Sequence, residues 1–162
     1  MATTLDIKSM IPVNFEPKRK TRWILMIEGI DAWLVSAAAR PKYTQGEVEI
    51  KYINSRRYLA GLTVFETIAV KLHDPIAPSG AQQVMEWLRL HYESVSGRAG
   101  YADFYKRDVQ LKLLDPIGTS IECWDLSGCW IKDANFGDLE YGSDDIVGVE
   151  LTLRFDNCVL QF

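Results

Sequence analysis

Only two histidines, His73 and His91, occur in the 162 residues, and neither has a partner that the sequence supplies for general acid–base work. No phosphate loop, nucleophile elbow or zinc-ligand spacing is present. The glycines of "SGRAG", residues 96–100, follow a helical stretch rather than open one, so they build no phosphate cradle at a helix N-terminus. Asp138, Glu140, Asp144 and Asp145 match no calcium-loop spacing and read as a solvated acidic loop. An enzyme is not expected, and neither is a metal or a cofactor.

A basic excess is missing too. The formal net charge is −4, which argues against a protein that grips nucleic acid through its phosphates. No apolar run approaches the roughly 20 residues of a membrane span, and no membrane partner is expected. The opening "MATTLDIKSMIPVNF" lacks the charged start and apolar block of a secretory signal. The cysteines, Cys123, Cys129 and Cys158, are odd in number and lack metal-type pairing. They read as buried free thiols in a reducing compartment, with an inter-subunit disulfide as the alternative.

What the chain has in abundance is alternation. In "VGVELTLRFD", residues 147–156, Val147, Val149, Leu151, Leu153 and Phe155 take one side of a strand, and Gly148, Glu150, Thr152, Arg154 and Asp156 take the other. The dry side needs a core. The charged side needs another explanation. "GEVEIKYI" repeats the pattern, with Glu47, Glu49 and Lys51 opposite Val48, Ile50 and Tyr52.

Residues 1–20 read as irregular, and the run Lys18, Arg19, Lys20 as a solvated lead-in. "RWILMIEGIDAWLVSAAARP" reads as two strands around Glu28-Gly29. A connection over residues 54–61 leads into a long strand, "LTVFETIAVKLHDP", and the pair suggests a hairpin. Residues 79–97 carry the one strong helix, capped by Ser79 and stopped by Gly97. Asp115-Pro116-Ile117-Gly118 is a turn between strands, and Ser127-Gly128 a turn candidate flanked by Trp124 and Trp130. The expected fold class is mainly β: a single-domain antiparallel β-sandwich or partial barrel with one flanking α-helix.

The order of these parts resembles the tail tube proteins of contractile-tailed phages, which share a fold with the hemolysin-coregulated protein of type VI secretion. The resemblance rests on "LAGLTVFETIAVKLHDP", on the helix "VMEWLRLHYESVSG", and on the closing stretch from "YKRDVQLKLLDP" to "VELTLRFDNC". Two features depart from the family pattern: no proline follows Trp130, and the cysteines are particular to this chain. The resemblance implies self-assembly into hexameric rings, stacked so that inner sheets join into one continuous β-barrel tube. It further implies a virion protein assembled in the host cytoplasm. The implied partners are the tail sheath protein, the baseplate and tail terminator proteins, and the tape measure protein and genome DNA in the lumen. A type VI secretion tube, or a monomeric ligand-binding sandwich using Trp124 or Trp130, are the alternatives.

Barrel geometry is compatible with a conduit. Four strands per subunit, spaced about 4.8 Å and tilted about 40°, close roughly 24 strands at a diameter of about 48 Å. Side chains on both walls leave a bore near ~40 Å, ample for a duplex of about 20 Å. On this reading Glu47, Glu49, Lys51, Glu150, Thr152 and Arg154 line the lumen. By analogy with the family's loop, Asn54, Ser55, Arg56, Arg57, Tyr58, Leu59 and Gly61 stack one ring on the next, with the arginines pairing to acidic residues such as those of "GDLEYGSDD".

Overall fold

The computed structural model describes Met10 and residues 12–162; the first nine residues and Ile11, with much of the predicted irregular lead-in, lie outside the described residues. Among the described residues beyond Met10, nine strands and two α-helices follow in chain order, with a 3-10 turn at Ala32–Leu34. They are β1 (Trp23–Ile27), β2 (Val35–Ala38), β3 (Tyr43–Tyr52), β4 (Ser55–Phe65) and β5 (Ile68–His73), then helix α1 (Gly80–His91) and the single turn α2 (Ala102–Tyr105). The chain closes with β6 (Arg107–Leu114), β7 (Ser120–Asn135), β8 (Gly148–Arg154) and β9 (Asn157–Leu160). Every ladder is antiparallel.

Seven strands form one sheet in the order β1-β6-β7-β8-β5-β2, with β9 added against β7. One strand makes this possible. The first part of β7 pairs with β6 and β9, and its last residues, Trp130 to Asn135, pair with β8. The turn expected at Ser127-Gly128 is instead a bend inside this continuous strand. Gly128 takes φ 69°, a left-handed conformation that L side chains avoid, and a Cβ there would meet the Asp156 carboxylate. Bending lets one strand serve both halves of a sheet that folds over its own core, the predicted partial barrel.

The core follows from the alternation. Ile68, Val70 and Leu72 of β5 interleave with Val149, Leu151 and Leu153 of β8, and all are fully buried. Leu25, Val109, Leu111 and Leu126 come from the other half. The dry face predicted for the C-terminal strand is dry, Phe155 included; only Val147, before the strand, is exposed.

Helix α1 packs Val84 and Trp87 against this core. Ser79 caps it by accepting from the Gln82 N–H at 3.4 Å. It ends at His91, short of the predicted Gly97, because the chain folds straight back: the Gly100 N–H donates to the His91 carbonyl at 2.8 Å, and Tyr92 bridges Ala99. The Asp115–Gly118 turn is present, its Asp115 carboxylate accepting from the Ile117 and Thr119 N–H groups at 2.9 and 2.7 Å.

Leu151 is 1% exposed in the middle of the core. Leu151→Asp is therefore expected to bury an unpaired carboxylate at a cost of about 3 kcal/mol or more, a large part of a domain's stability. Circular dichroism should show unfolded or insoluble protein; a cooperative, near-wild-type melt would contradict the assignment of the two faces.

Candidate functional site

Three surfaces carry the chemistry of the chain. The first is a projecting hairpin. β3 and β4 form their own two-stranded sheet, outside the seven-stranded one. Ile53 and Asn54 alone turn the chain, with Ile53 at φ 50°, so the predicted connection over 54–61 is not a loop. Ser55, Arg56, Arg57, Tyr58, Leu59 and Gly61 belong to strand β4, paired to β3 from Tyr52↔Ser55 to Tyr43↔Phe65. The long strand expected over 62–75 is broken at Glu66-Thr67 into the end of β4 and β5. Gly61 sits at a register shift, where a Cβ would stand 3.0 Å from the Gly46 carbonyl carbon; two glycines let the backbones pass closely there.

The pairing register assigns the hairpin's faces. Glu47, Glu49 and Lys51 lie opposite Ala60, Tyr58 and Arg56, and the Arg56 guanidinium meets the Glu49 carboxylate at 3.2 Å. The other face holds Val48, Ile50 and Tyr52 opposite Leu59, Arg57 and Ser55. None of these apolar side chains is covered: Tyr52 is 71% exposed, and Leu62, nearer the base, 85%. At the base the hairpin is fastened. Glu66 accepts from the Thr44 hydroxyl at 2.5 Å and pairs with Lys42 at 2.9 Å, which hold its carboxyl below the usual carboxylate range. Phe65 packs on the buried Phe155.

The second surface is the outward side of β7, β8, β5 and β2. Glu150, Thr152 and Arg154 lie here, opposite the buried side of β8, with Lys71 and His73 of β5 and Asp133 and Asn135 of β7 beside them. Lys71 pairs with Glu150 at 2.8 Å. The face is mixed in sign and open to water. Within one chain the predicted lumen residues therefore fall into two groups, Glu47, Glu49 and Lys51 on the hairpin and Glu150, Thr152 and Arg154 on the sheet. The structure does not bring them together in a common ladder.

The third surface was not legible in the sequence. Glu122, in β7, is 3% exposed and accepts from Lys18, from the Trp124 indole N–H and from Arg40 at 2.6 Å. Burial pushes the Glu122 carboxyl up, but these hydrogen bonds and charges together bring it below its ordinary 4.5. Lys18, read from the sequence as part of a solvated lead-in, thus pairs with a buried carboxylate while its own side chain stays half exposed. With Arg19, Lys20 and Arg40 it rims a cleft of about 540 Å³ whose floor is Trp23, Ala38, Leu111 and Leu113. The cleft lies along the seam between β1 and β2, the two outer strands of the sheet.

Among the described residues no group of three His, Cys, Asp or Glu converges as metal ligands. Cys123 and Cys129 are buried free thiols and Cys158 is half-buried; burial pushes the Cys129 thiol up to about 12. Trp124 hydrogen-bonds Glu122 beneath the Arg40 guanidinium, and Trp130 lines a void of only about 10 Å³. No helix of the described residues is long and apolar enough to cross a membrane.

Solved structures superimpose on this fold over most of the chain. The chain has the fold of contractile injection system tube proteins. It superimposes over 97% of its length on 99% of a chain from the anti-feeding prophage tube-terminating cap, with TM-score 0.75 and 15% identity. A chain from the sheath-tube complex of the PVC extracellular contractile injection system matches over 97% of this chain and 99% of that one, at TM-score 0.68 and 17% identity. Hcp1 from Flavobacterium johnsoniae matches over 86% of this chain and 94% of that one, at TM-score 0.51 and 11% identity. No family model and no curated protein sequence matches the chain.

The Glu122 cluster has a pH signature. A carboxyl whose folded pKa lies below its unfolded value stabilises the fold above about 4.5, and the contribution is lost as pH falls through the folded pKa. Glu122→Gln is expected to destabilise by about 2 kcal/mol at pH 7 and to converge on the wild type as pH falls through the folded pKa. Denaturant titrations across that range measure it, and a gap independent of pH would contradict the assignment.

Proposed function

We propose that the chain is a structural tube subunit: copies assemble into hexameric rings, and rings stack into the hollow inner tube of a contractile tail or injection machine. The observation that carries this reading is the hairpin β3–β4. A two-stranded ribbon with an uncovered apolar face is marginal alone in water, so its ten- and eleven-residue strands make physical sense when another surface covers them. The fold shared with tube and cap assemblies supports the same reading.

Strand directions add polarity. Ile68 pairs with Leu153 and His73 with Gly148, so the hairpin base and the acidic loop over 136–147 lie at opposite ends of the β5–β8 pair. Different surfaces at opposite ends suit head-to-tail contacts, which build open-ended stacks. In the tube, β7, β8, β5 and β2 supply the wall's inward face, and Glu150, Thr152 and Arg154 with it look into the bore. Glu47, Glu49 and Lys51 extend that lining where the hairpin crosses to a neighbouring copy. Arg56, Arg57 and the rest of residues 54–61 make the ring-to-ring contact. The mixed wall, in which Lys71 neutralises Glu150, would let a polyanion slide rather than hold it. Sheath, baseplate and terminator proteins are the assembly partners, and a tape measure protein and genome DNA the transient contents. The neighbours in structure come from injection systems, which favours a tube passing protein cargo as the second reading.

Two experiments test this. Arg56→Glu with Arg57→Glu should leave folded subunits or single rings and abolish long tubes in negative-stain micrographs; normal tube growth would remove β4 from the stacking contact. Replacing Glu47, Glu49 and Glu150 with Lys should spare the tube, since water solvates the new charges. DNA passage through it should then slow, and recover as salt is raised. Collapse of the tube, or passage unchanged at low salt, would show that these carboxylates do not face the bore.

A further inference from the structure

The seam cleft and the acidic loop have matching chemistry, and neither is satisfied among the described residues of one chain. Four cations rim the cleft, Lys18, Arg19, Lys20 and Arg40, against the single buried carboxylate of Glu122, an excess of three positive charges. Arg19 and Lys20 pair with no carboxylate among the described residues. The floor beneath them is apolar, with Leu111 and Leu113 buried and Trp23 partly so. The stretch over 136–147 carries Asp138, Glu140, Asp144 and Asp145 with no Lys or Arg, and exposes Leu139, Tyr141 and Ile146. In the folded chain Asp138 and Ile146 lie beside Lys71, His73 and Glu150 on the sheet's outward face, and none of the loop's residues lines the cleft.

We infer that the seam cleft is the socket for the acidic loop of a second copy, inserted with its carboxylates on the basic rim and its apolar side chains on the floor. The inference rests on the tube reading and adds a second contact between copies, distinct from the one made by the hairpin. Charge decides between the loop's two basic candidates. At the hairpin, Lys51, Arg56 and Arg57 stand against Glu47 and Glu49, an excess of only one, and Arg56 is already engaged by Glu49. The cleft has the larger excess and the dry floor. Desolvated carboxylates gain most where several cations converge at the edge of an apolar surface.

Charge exchange tests it with the full chain. Arg19→Glu with Lys20→Glu reverses the rim without touching the Lys18–Glu122–Arg40 cluster, and Asp144→Lys with Asp145→Lys reverses the loop. Sedimentation velocity at low salt should show each pair of changes weakening self-association by about tenfold or more. The chain carrying all four changes, or an equimolar mixture of the two double variants, should recover much of the loss; circular dichroism checks that all remain folded. Association unaffected by either reversal, or weakened without recovery, overturns the socket while leaving the tube intact. Recovery when Asp144→Lys and Asp145→Lys are combined with Arg56→Glu and Arg57→Glu instead would reassign the loop to the hairpin. A wild-type chain that stays monomeric at every concentration overturns both the socket and the tube.

Discussion

A two-stranded antiparallel ribbon satisfies half of its backbone groups and can bury neither of its faces; that constraint governs this molecule. β3 and β4 extend beyond the core with Val48, Ile50, Tyr52 and Leu59 on one side and Glu47, Glu49, Lys51 and Arg56 on the other. No element of the same chain pairs with them among the described residues. A monomer bears this as exposed apolar area, at about 25 cal/mol for each Å² kept in water. Assembly would remove the cost. On the proposed tube reading the hairpin is half of an interface, and the rest of the chain is the device that holds it.

That device is the folded seven-stranded sheet. Gly128 lets β7 bend from one half to the other, and the bend allows a single core of Leu, Ile and Val to hold both halves. At the start of β7, Glu122 ties Lys18, ahead of β1, to Arg40, which leads into β3. At the hairpin's base, Glu66 grips Thr44 and Lys42. These charged fasteners lie along the path from core to hairpin. The exposed Glu66–Lys42 pair contributes little to stability, whereas the buried Glu122 carboxylate contributes to it.

The parts of this architecture legible in the sequence are those governed by local period. Alternation in "VGVELTLRFD" located the buried side of β8 because a strand with one dry face has only one register that buries it. The same alternation in "GEVEIKYI" sorted the residues into the right two faces, yet it could not tell that neither face meets a core. Polar "NSRRYLAG" reads as a loop by composition, but pairing with β3 overrides that preference and leaves two residues to turn the chain. Trp124 and Trp130 frame a glycine that bends a strand instead of ending it, where a Cβ would meet the Asp156 carboxylate from far along the chain. Glu122 was the least readable. A carboxylate between apolar residues shows its partners only once residues 18 and 40 are folded against it.

The central claim is that copies of this chain close into a hollow ring. Electron cryo-microscopy of the concentrated protein, with averaging along any filament that forms, tests it most directly. The account predicts six-fold rings around a water-filled bore near ~40 Å, walled by β7, β8, β5 and β2, with every hairpin packed on a neighbouring copy. Dispersed monomers with free hairpins, or a filament whose polar sheet face points outward, would contradict it.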